Sequence, residues 1–440
     1  MPFSATPSPD PDAMQEALAA LVACDTTIPP GSGYPAVCDL IERLFAPLGG
    51  RAERIRVPEE LWTVPGLHGP RVNLVLRPDM GGRGGSPDGR HAEIASAMIY
   101  FHIDTAPVGE GWTKPALALT REGNRLYGRG TADMKGTIVA VRDCLLRLKE
   151  SGLPLAYSPV LAFCTDEEGG RYPGIRYLAE TTDLPDVLLN LNGSAEPRIW
   201  AGCVGSIDMM LTVTGRTAHS GEPDRGRNAI DMALPALNAL TALKPTVEAR
   251  TTPMPAPPWA AGPLHARLSL TAIHAGDKGS AIPGLCRITL NRRYLPEEHE
   301  ADVRAEIEAT VAAALSHLAP EDWSLEETGH LPPVVDPDGP ATRRWTLARA
   351  AAWGLPESAF RRYGSGTSSD FGWVQRAGQT HMLLGGLARP DRNVHAADEF
   401  TTTDDLADLS RAIENFLRAD FDPEPGGDQP SAAQPGSAQP

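Results

Sequence analysis

The chain has 440 residues, 41% hydrophobic and 22% charged, with 56 acidic against 40 basic side chains for a formal net charge of −16. That length exceeds one ordinary core and predicts two domains. The acidic excess argues against nucleic acid or an anionic membrane as a partner.

Six cysteines, at 24, 38, 144, 164, 203 and 286, show no CxxC or other paired spacing. They are expected as reduced thiols, not as a disulfide framework or a thiolate zinc site. The N-terminal MPFSATPSPDPDAM lacks a basic segment followed by an apolar run, and no run approaches the roughly 20 apolar residues that span a bilayer. A cytoplasmic protein is expected.

Taken in order, Asp12 to Leu48 carries apolar positions at helical spacing, split into two helices by the Pro-Pro-Gly-Ser-Gly stretch at 29–33. A strand is predicted at 71–77, then a Gly-, Asp- and Pro-rich surface loop at 78–90. The apolar run Ala97–Phe101 suits a buried strand and ends in His102-Ile-Asp104. The glycine-punctuated turn Leu126–Gly136 contains Asp133 and precedes an apolar helix at 137–149. A strand at 159–164 ends in Thr165-Asp-Glu-Glu-Gly169, and a further helix and strand close at Asn192. This alternation predicts an α/β fold with a mainly parallel sheet, each polar cluster just past the carboxyl end of a strand.

From about Gly205 the pattern changes. Predicted strands at 206–214, 266–273 and 286–293, with helices at 228–243 and 298–315, suggest a smaller α+β domain. The expected division is a catalytic domain at 1–205 and 321–421, interrupted by an α+β dimerisation or lid domain at 206–320. The tail at 422–440 is Pro-, Gly-, Gln-, Ser- and Ala-rich and is expected to be disordered.

Alone, Asp133 reads more readily as a helix cap, His102 as a core histidine and Asp-Glu-Glu as a solvated loop. Together, His102, Asp104, Asp133, Glu167, Glu168 and His395 form a set of nitrogen and oxygen donors suited to zinc, cobalt or manganese, all at strand ends.

These segments resemble a known family. Phe-His-Ile-Asp-Thr-Ala-Pro, Trp112 with Pro115, Leu-Tyr-Gly-Arg-Gly-Thr-Ala-Asp-Met-Lys-Gly, Asp-Glu-Glu-Gly and His-Ala-Ala-Asp-Glu are similar to the signature of the M20 metallopeptidases, as is Gly215-Arg-Thr-Ala-His-Ser-Gly-Glu-Pro223. That group includes acetylornithine deacetylase, succinyl-diaminopimelate desuccinylase, aminoacylase and glutamate carboxypeptidase relatives. The resemblance implies a zinc-exopeptidase-like hydrolase with one or two divalent ions per chain, zinc or else cobalt or manganese. His102 would hold one ion, Asp133 would bridge two, and Glu168 and His395 would complete the second site. Asp104 would orient His102. Glu167 would be the general base that takes a proton from metal-activated water and delivers it to the leaving nitrogen. His219 would cross a dimer interface to stabilise an oxyanion. Arg293 would bind a substrate carboxylate or pair within its own domain, and Gly366 lies in a glycine loop, Gly364 to Asp370, suited to an anion. A carboxylate-bearing small molecule and a homodimer or higher homo-oligomer are the implied partners.

Three positions depart from the family pattern. Phe101 stands where glycine is usual, either beside a planar substrate or filling strand core, and Ser280 stands where asparagine is typical. Asn192 occupies the register of a carboxylate ligand to the first metal, and its neutral amide is a weaker donor; Glu196 is the alternative ligand. The expected reaction is cleavage of the amide of an N-acyl amino acid or small peptide. The alternatives are a mononuclear aminohydrolase that releases an amine from an activated aromatic substrate, and a non-catalytic binding protein on the same fold.

Overall fold

The computed structural model describes residues 6–64, 66–81 and 94–421. Most of the predicted surface loop at 78–90 and the tail at 422–440 lie outside the described residues.

The centre is a six-stranded sheet. The apolar runs Ser96–His102 and Ser158–Cys164 pair in parallel, as do Ser96–His102 with Val187–Asn190 and the latter with Met382–Leu384. Strands Arg51–Arg56 and Val72–Arg77 add antiparallel to one edge, so the sheet is mixed. Near-continuous apolar sequence marks its inner strands because helices cover both faces. One face packs helices Pro11–Ala23, Tyr34–Phe45, Lys135–Ser151 and Thr403–Leu417 around a core containing Leu18, Ile41, Phe163, Leu145 and Phe416. The other face buries Tyr100, Val160, Ile175, Leu188, Trp200 and Phe371.

Between these parts of the chain, strands Gly205–Thr214, Arg267–Ala275, Leu285–Tyr294 and Trp323–Leu331 form an antiparallel four-stranded sheet. Alternation along 207–214 puts Ile207, Met209, Leu211 and Val213 on its buried face, where helices Ala229–Glu248 and Glu300–Ala314 pack. The edge strand Arg51–Arg56 escapes sequence reading because its sequence, RAERIR, has no apolar run, as suits a half-exposed edge.

All six cysteines are free, five of them buried. Among the described residues, no helix is long and apolar enough to cross a membrane.

Candidate metal centre

Parallel pairing places the candidate residues at one end of the central sheet. His102 ends its strand directly opposite Cys164, so the turn holding Glu167 and Glu168 begins beside it. Asp133 arrives from the turn between strand Arg125–Tyr127 and helix Lys135–Ser151. It does not cap that helix: Met134 is the cap residue, with no side-chain cap bond. Gly130 in this turn has φ +85°, and a Cβ there would come within 2.9 Å of Thr105 Cγ2, so the tight approach requires glycine.

Asp133 presents its two oxygens to two histidines. Oδ1 lies 2.9 Å from His102 Nε2, and Oδ2 lies 3.1 Å from His395 Nε2. His395 Nε2 is also 2.8 Å from Glu168 Oε2. Ligand atoms of His102, Asp133 and Glu168 lie within 4.8 Å of one another. His102 Nδ1 sits 3.2 Å from the Asp104 carbonyl and 3.5 Å from Asp104 Oδ1, which directs Nε2 toward Asp133. Asp104 Oδ2 accepts the Glu168 N–H at 2.8 Å, linking the two strand ends.

Burial pushes Glu167 well above the usual carboxylate range; neighbouring His102 opposes this, and Asp370, Glu168 and Asp133 add to it. Burial also raises Glu168. Burial works to raise Asp133 too, but bonds from His102 and His395 hold it below its usual range. His395 is raised to about 10 by its bonds to Asp133 and Glu168.

The residues fit a divalent cation. Glu168 Oε1 and Asp104 Oδ1 are buried acceptors without a hydrogen-bond partner, and carboxylates outnumber the two histidines. Buried, unpaired acceptor atoms are costly unless a cation or donor meets them. Imidazole and carboxylate donors are those that zinc and its neighbours accept.

The other expected residues fall into separate groups. Asn192 lies two residues beyond Asn190, where the strand that pairs with Ser96–His102 ends opposite Tyr100. Its backbone N–H donates to Asn190 Oδ1 at 2.8 Å. Glu196 lies against Tyr363, whose hydroxyl is raised to about 12 by burial and by that carboxylate. Phe101 is fully buried and stacks on Phe163 with centroids 4.8 Å apart, so it fills the core and does not flank the site. Arg293 crosses from the four-stranded sheet to the glycine loop, donating from Nη1 to Ser368 Oγ at 2.7 Å. Gly366 is exposed in that loop. His219 is exposed on the short strand Ala218–His219, and its Nδ1 accepts the Gly221 N–H at 3.0 Å, leaving Nε2–H as a donor. Among the described residues, no hydrogen bond or ion pair joins it to the cluster.

Sequence reading missed three supports. Glu399 closes the His-Ala-Ala-Asp-Glu segment and accepts N–H bonds from Gly130, Ala132 and Asp133 while pairing with Arg129. Asp166, at φ 55°, anchors the Glu167–Glu168 turn through a fully buried ion pair with Arg71 and a bond from the Tyr34 hydroxyl. Tyr100 donates to Asp370, which burial, countered by this bond, sets at about 6. Position within the His-Ala-Ala-Asp-Glu segment was a signal available for Glu399, whereas nothing local marked Arg71 or Tyr34.

The sequence model of peptidase family M20/M25/M40 matches residues 98–419. The chain belongs to this M20 family of metallopeptidases and amidohydrolases. It is 32% identical over 207 residues to acetylornithine deacetylase of Klebsiella pneumoniae, covering 45% of this chain and 50% of that protein. It is 31% identical over 263 residues to the enzyme of that name from Edwardsiella ictaluri, covering 58% and 61%. The chain thus spans about half the length of the curated relatives it matches. Among solved structures, the di-peptidase Dug1p of Saccharomyces cerevisiae superposes with a TM-score of 0.74 at 16% identity, over 92% of this chain and 95% of that one. Human carnosine dipeptidase 1 gives 0.71 at 17%, over 92% and 96%. These two share the fold.

Proposed function

We propose that the protein is a metal-dependent amidohydrolase that cleaves the C–N bond of an N-acyl amino acid or small peptide. The observation that carries this reading is Asp133, whose two oxygens face His102 on one side and His395 with Glu168 on the other. That arrangement suits a carboxylate shared between two cations. Relatives named acetylornithine deacetylase, and structures named as dipeptidases, are consistent with amide chemistry.

His102, Asp133, Glu168 and His395 would hold the ions, zinc or else cobalt or manganese. Bound there, a divalent metal supplies Lewis acidity that makes water a nucleophile near neutral pH. Asp104 holds the His102 ring through Nδ1 and the Glu168 backbone through its own carboxylate. Glu167, half-buried and adjacent to Glu168, would accept a proton and return it to the leaving nitrogen. Arg293 and the glycine loop receive the substrate carboxylate, Arg293 through its guanidinium and the loop through backbone N–H groups. His219, with Nε2–H free to donate, serves as oxyanion donor from a second copy of the chain in a homodimer.

A second reading rests on Asn192. An amide in the register of a carboxylate ligand would leave that side of the site short of one negative charge. A single tightly held ion, with release of an amine from an activated aromatic substrate, would follow. Metal analysis of protein purified without chelators, paired with turnover of N-acetyl amino acids and aminobenzoates, separates the readings. Two ions with acyl turnover favour the first, and one ion with aryl-amine turnover favours the second. Replacing Glu167 with Gln should cut kcat about a hundredfold or more with metal retained; unchanged turnover would refute the general-base assignment.

A further inference from the structure

Residues 253–263 join helix Ala229–Glu248 to strand Arg267–Ala275 and contain five prolines, at 253, 255, 257, 258 and 263. The loop is closed at its base, where Thr252 N–H donates to the Leu264 carbonyl at 3.2 Å. Thr252 Oγ1 also donates to Glu297 at 2.9 Å. Proline fixes φ, so such a loop loses little further entropy when it presents a side chain.

This loop is fastened to the glycine loop. Gly364 N–H donates to the Pro255 carbonyl at 2.8 Å. A Cβ at Gly364 would lie 2.0 Å from Met254 Sδ, so the glycine lets the Met254 side chain seat against its backbone. Leu264 Cδ2 is the nearest atom to a Cβ placed on Gly366, at 3.9 Å. Two residues further on, Ser368 accepts from Arg293.

At the crown of the loop stands Trp259, 66% exposed, the most exposed of the large hydrophobic side chains described. Its ring meets Tyr363 edge-on with centroids 5.3 Å apart, at an interplanar angle of 79°. One edge of the indole is thereby held while much of the ring remains open to solvent. An indole costs free energy when left in water, and here it is held on a loop fastened to the glycine loop that Arg293 reaches through Ser368.

We propose that Trp259 and Leu264 form the apolar wall of the substrate-binding face and select a substrate that joins an aromatic or bulky apolar group to a carboxylate. This deepens the amidohydrolase reading and rests on it. The carboxylate goes to Arg293 and the glycine loop, while the apolar group covers Trp259. Neither residue is a catalytic residue; they determine specificity.

The test compares the metal-loaded wild type with Trp259→Ala, Trp259→Phe and Leu264→Ala on paired N-benzoyl and N-acetyl derivatives of the same amino acids. The ratio of kcat/KM for N-benzoyl over N-acetyl substrates should fall about tenfold in Trp259→Ala, mainly through KM, and recover largely in Trp259→Phe. An unchanged ratio overturns the proposal, whatever happens to total activity. Calorimetric binding of an N-benzyl amino acid, which has no amide to cleave, provides an arm independent of turnover. If no N-acyl amino acid is hydrolysed, the amidohydrolase reading fails; tenfold weaker N-benzyl binding in Trp259→Ala then still supports the wall, and equal binding overturns it. Sedimentation completes the test, because dissociation of an oligomer on Trp259→Ala would assign the indole to a subunit contact and overturn the proposal.

Discussion

Glu399 and Asp133 stand 266 residues apart in sequence, yet the Glu399 carboxylate accepts the Asp133 backbone N–H at 3.1 Å. The same carboxylate pairs with Arg129 Nη1 at 2.7 Å and accepts from Gly130 and Ala132. Glu399 therefore holds the turn that aims Asp133, although it touches neither histidine.

Replacing Glu399 with Ala strips three backbone N–H donors of their acceptor and leaves the Arg129 guanidinium buried without its carboxylate. Loss of about 3 kcal/mol of unfolding free energy is expected, with metal affinity reduced by about 10–100-fold. Denaturant unfolding of the metal-free protein and calorimetric zinc titration measure the two effects separately. Wild-type zinc affinity in a folded variant would show that the turn holds its shape unaided.

Arg71 and Asp166 are both fully buried, 2.8 Å apart, with Arg71 also donating to the carbonyls of His68 and Gly69 and lying over the Trp62 ring at 4.3 Å. Lysine cannot reproduce that planar fork. Arg71→Lys should lower kcat about tenfold by loosening the turn that carries Glu167 and Glu168. Retention of full kcat would mean that the turn is held by the Tyr34 bond alone.

Asn192→Asp adds a carboxylate two residues past the end of the strand that pairs with Ser96–His102. The variant should keep a second equivalent of zinc through gel filtration that the wild type loses more readily. Metal analysis after a graded chelator series decides this. Equal retention by both proteins would place residue 192 outside the coordination shell.

His330 provides a pH dependence remote from the metal centre. Its Nε2 faces the Tyr294 hydroxyl at 2.8 Å and Glu300 at 3.4 Å, while Nδ1 faces Arg304 at 3.4 Å. Burial holds it down to about 4, with Glu300 opposing and Arg304, Arg376 and Arg176 reinforcing the shift. A histidine depressed in the folded state contributes fully above its unfolded value of about 6.5, and the contribution drains away as pH falls toward 4. Between pH 7.5 and pH 5, wild-type stability should drop about 2 kcal/mol more than that of His330→Asn. Parallel urea curves for the two proteins across that range would contradict the assignment.

Much of the site could be read in the linear sequence because its residues sit where local patterns end. His102 follows an apolar run, Glu167 and Glu168 follow another, and Asp133 sits in a glycine turn; strand periodicity and glycine placement are properties of neighbouring residues. The strands Arg198–Cys203 and Arg361–Ser365 were not expected, because they are short, mixed in polarity and paired only with each other and with Val334–Val335.

The sequence by itself determined the donor types, their order and their positions at strand ends, since these follow from hydrophobic periodicity and local turn chemistry. Only the tertiary structure decided which donors meet. The two histidines that share Asp133 are 293 positions apart by numbering, 102 to 395, and the bonds that aim Asp133 come from a residue near the far end of the chain. No sequence period records such pairings, because they arise from the parallel stacking of strands and from buried charges that must find partners once water is excluded.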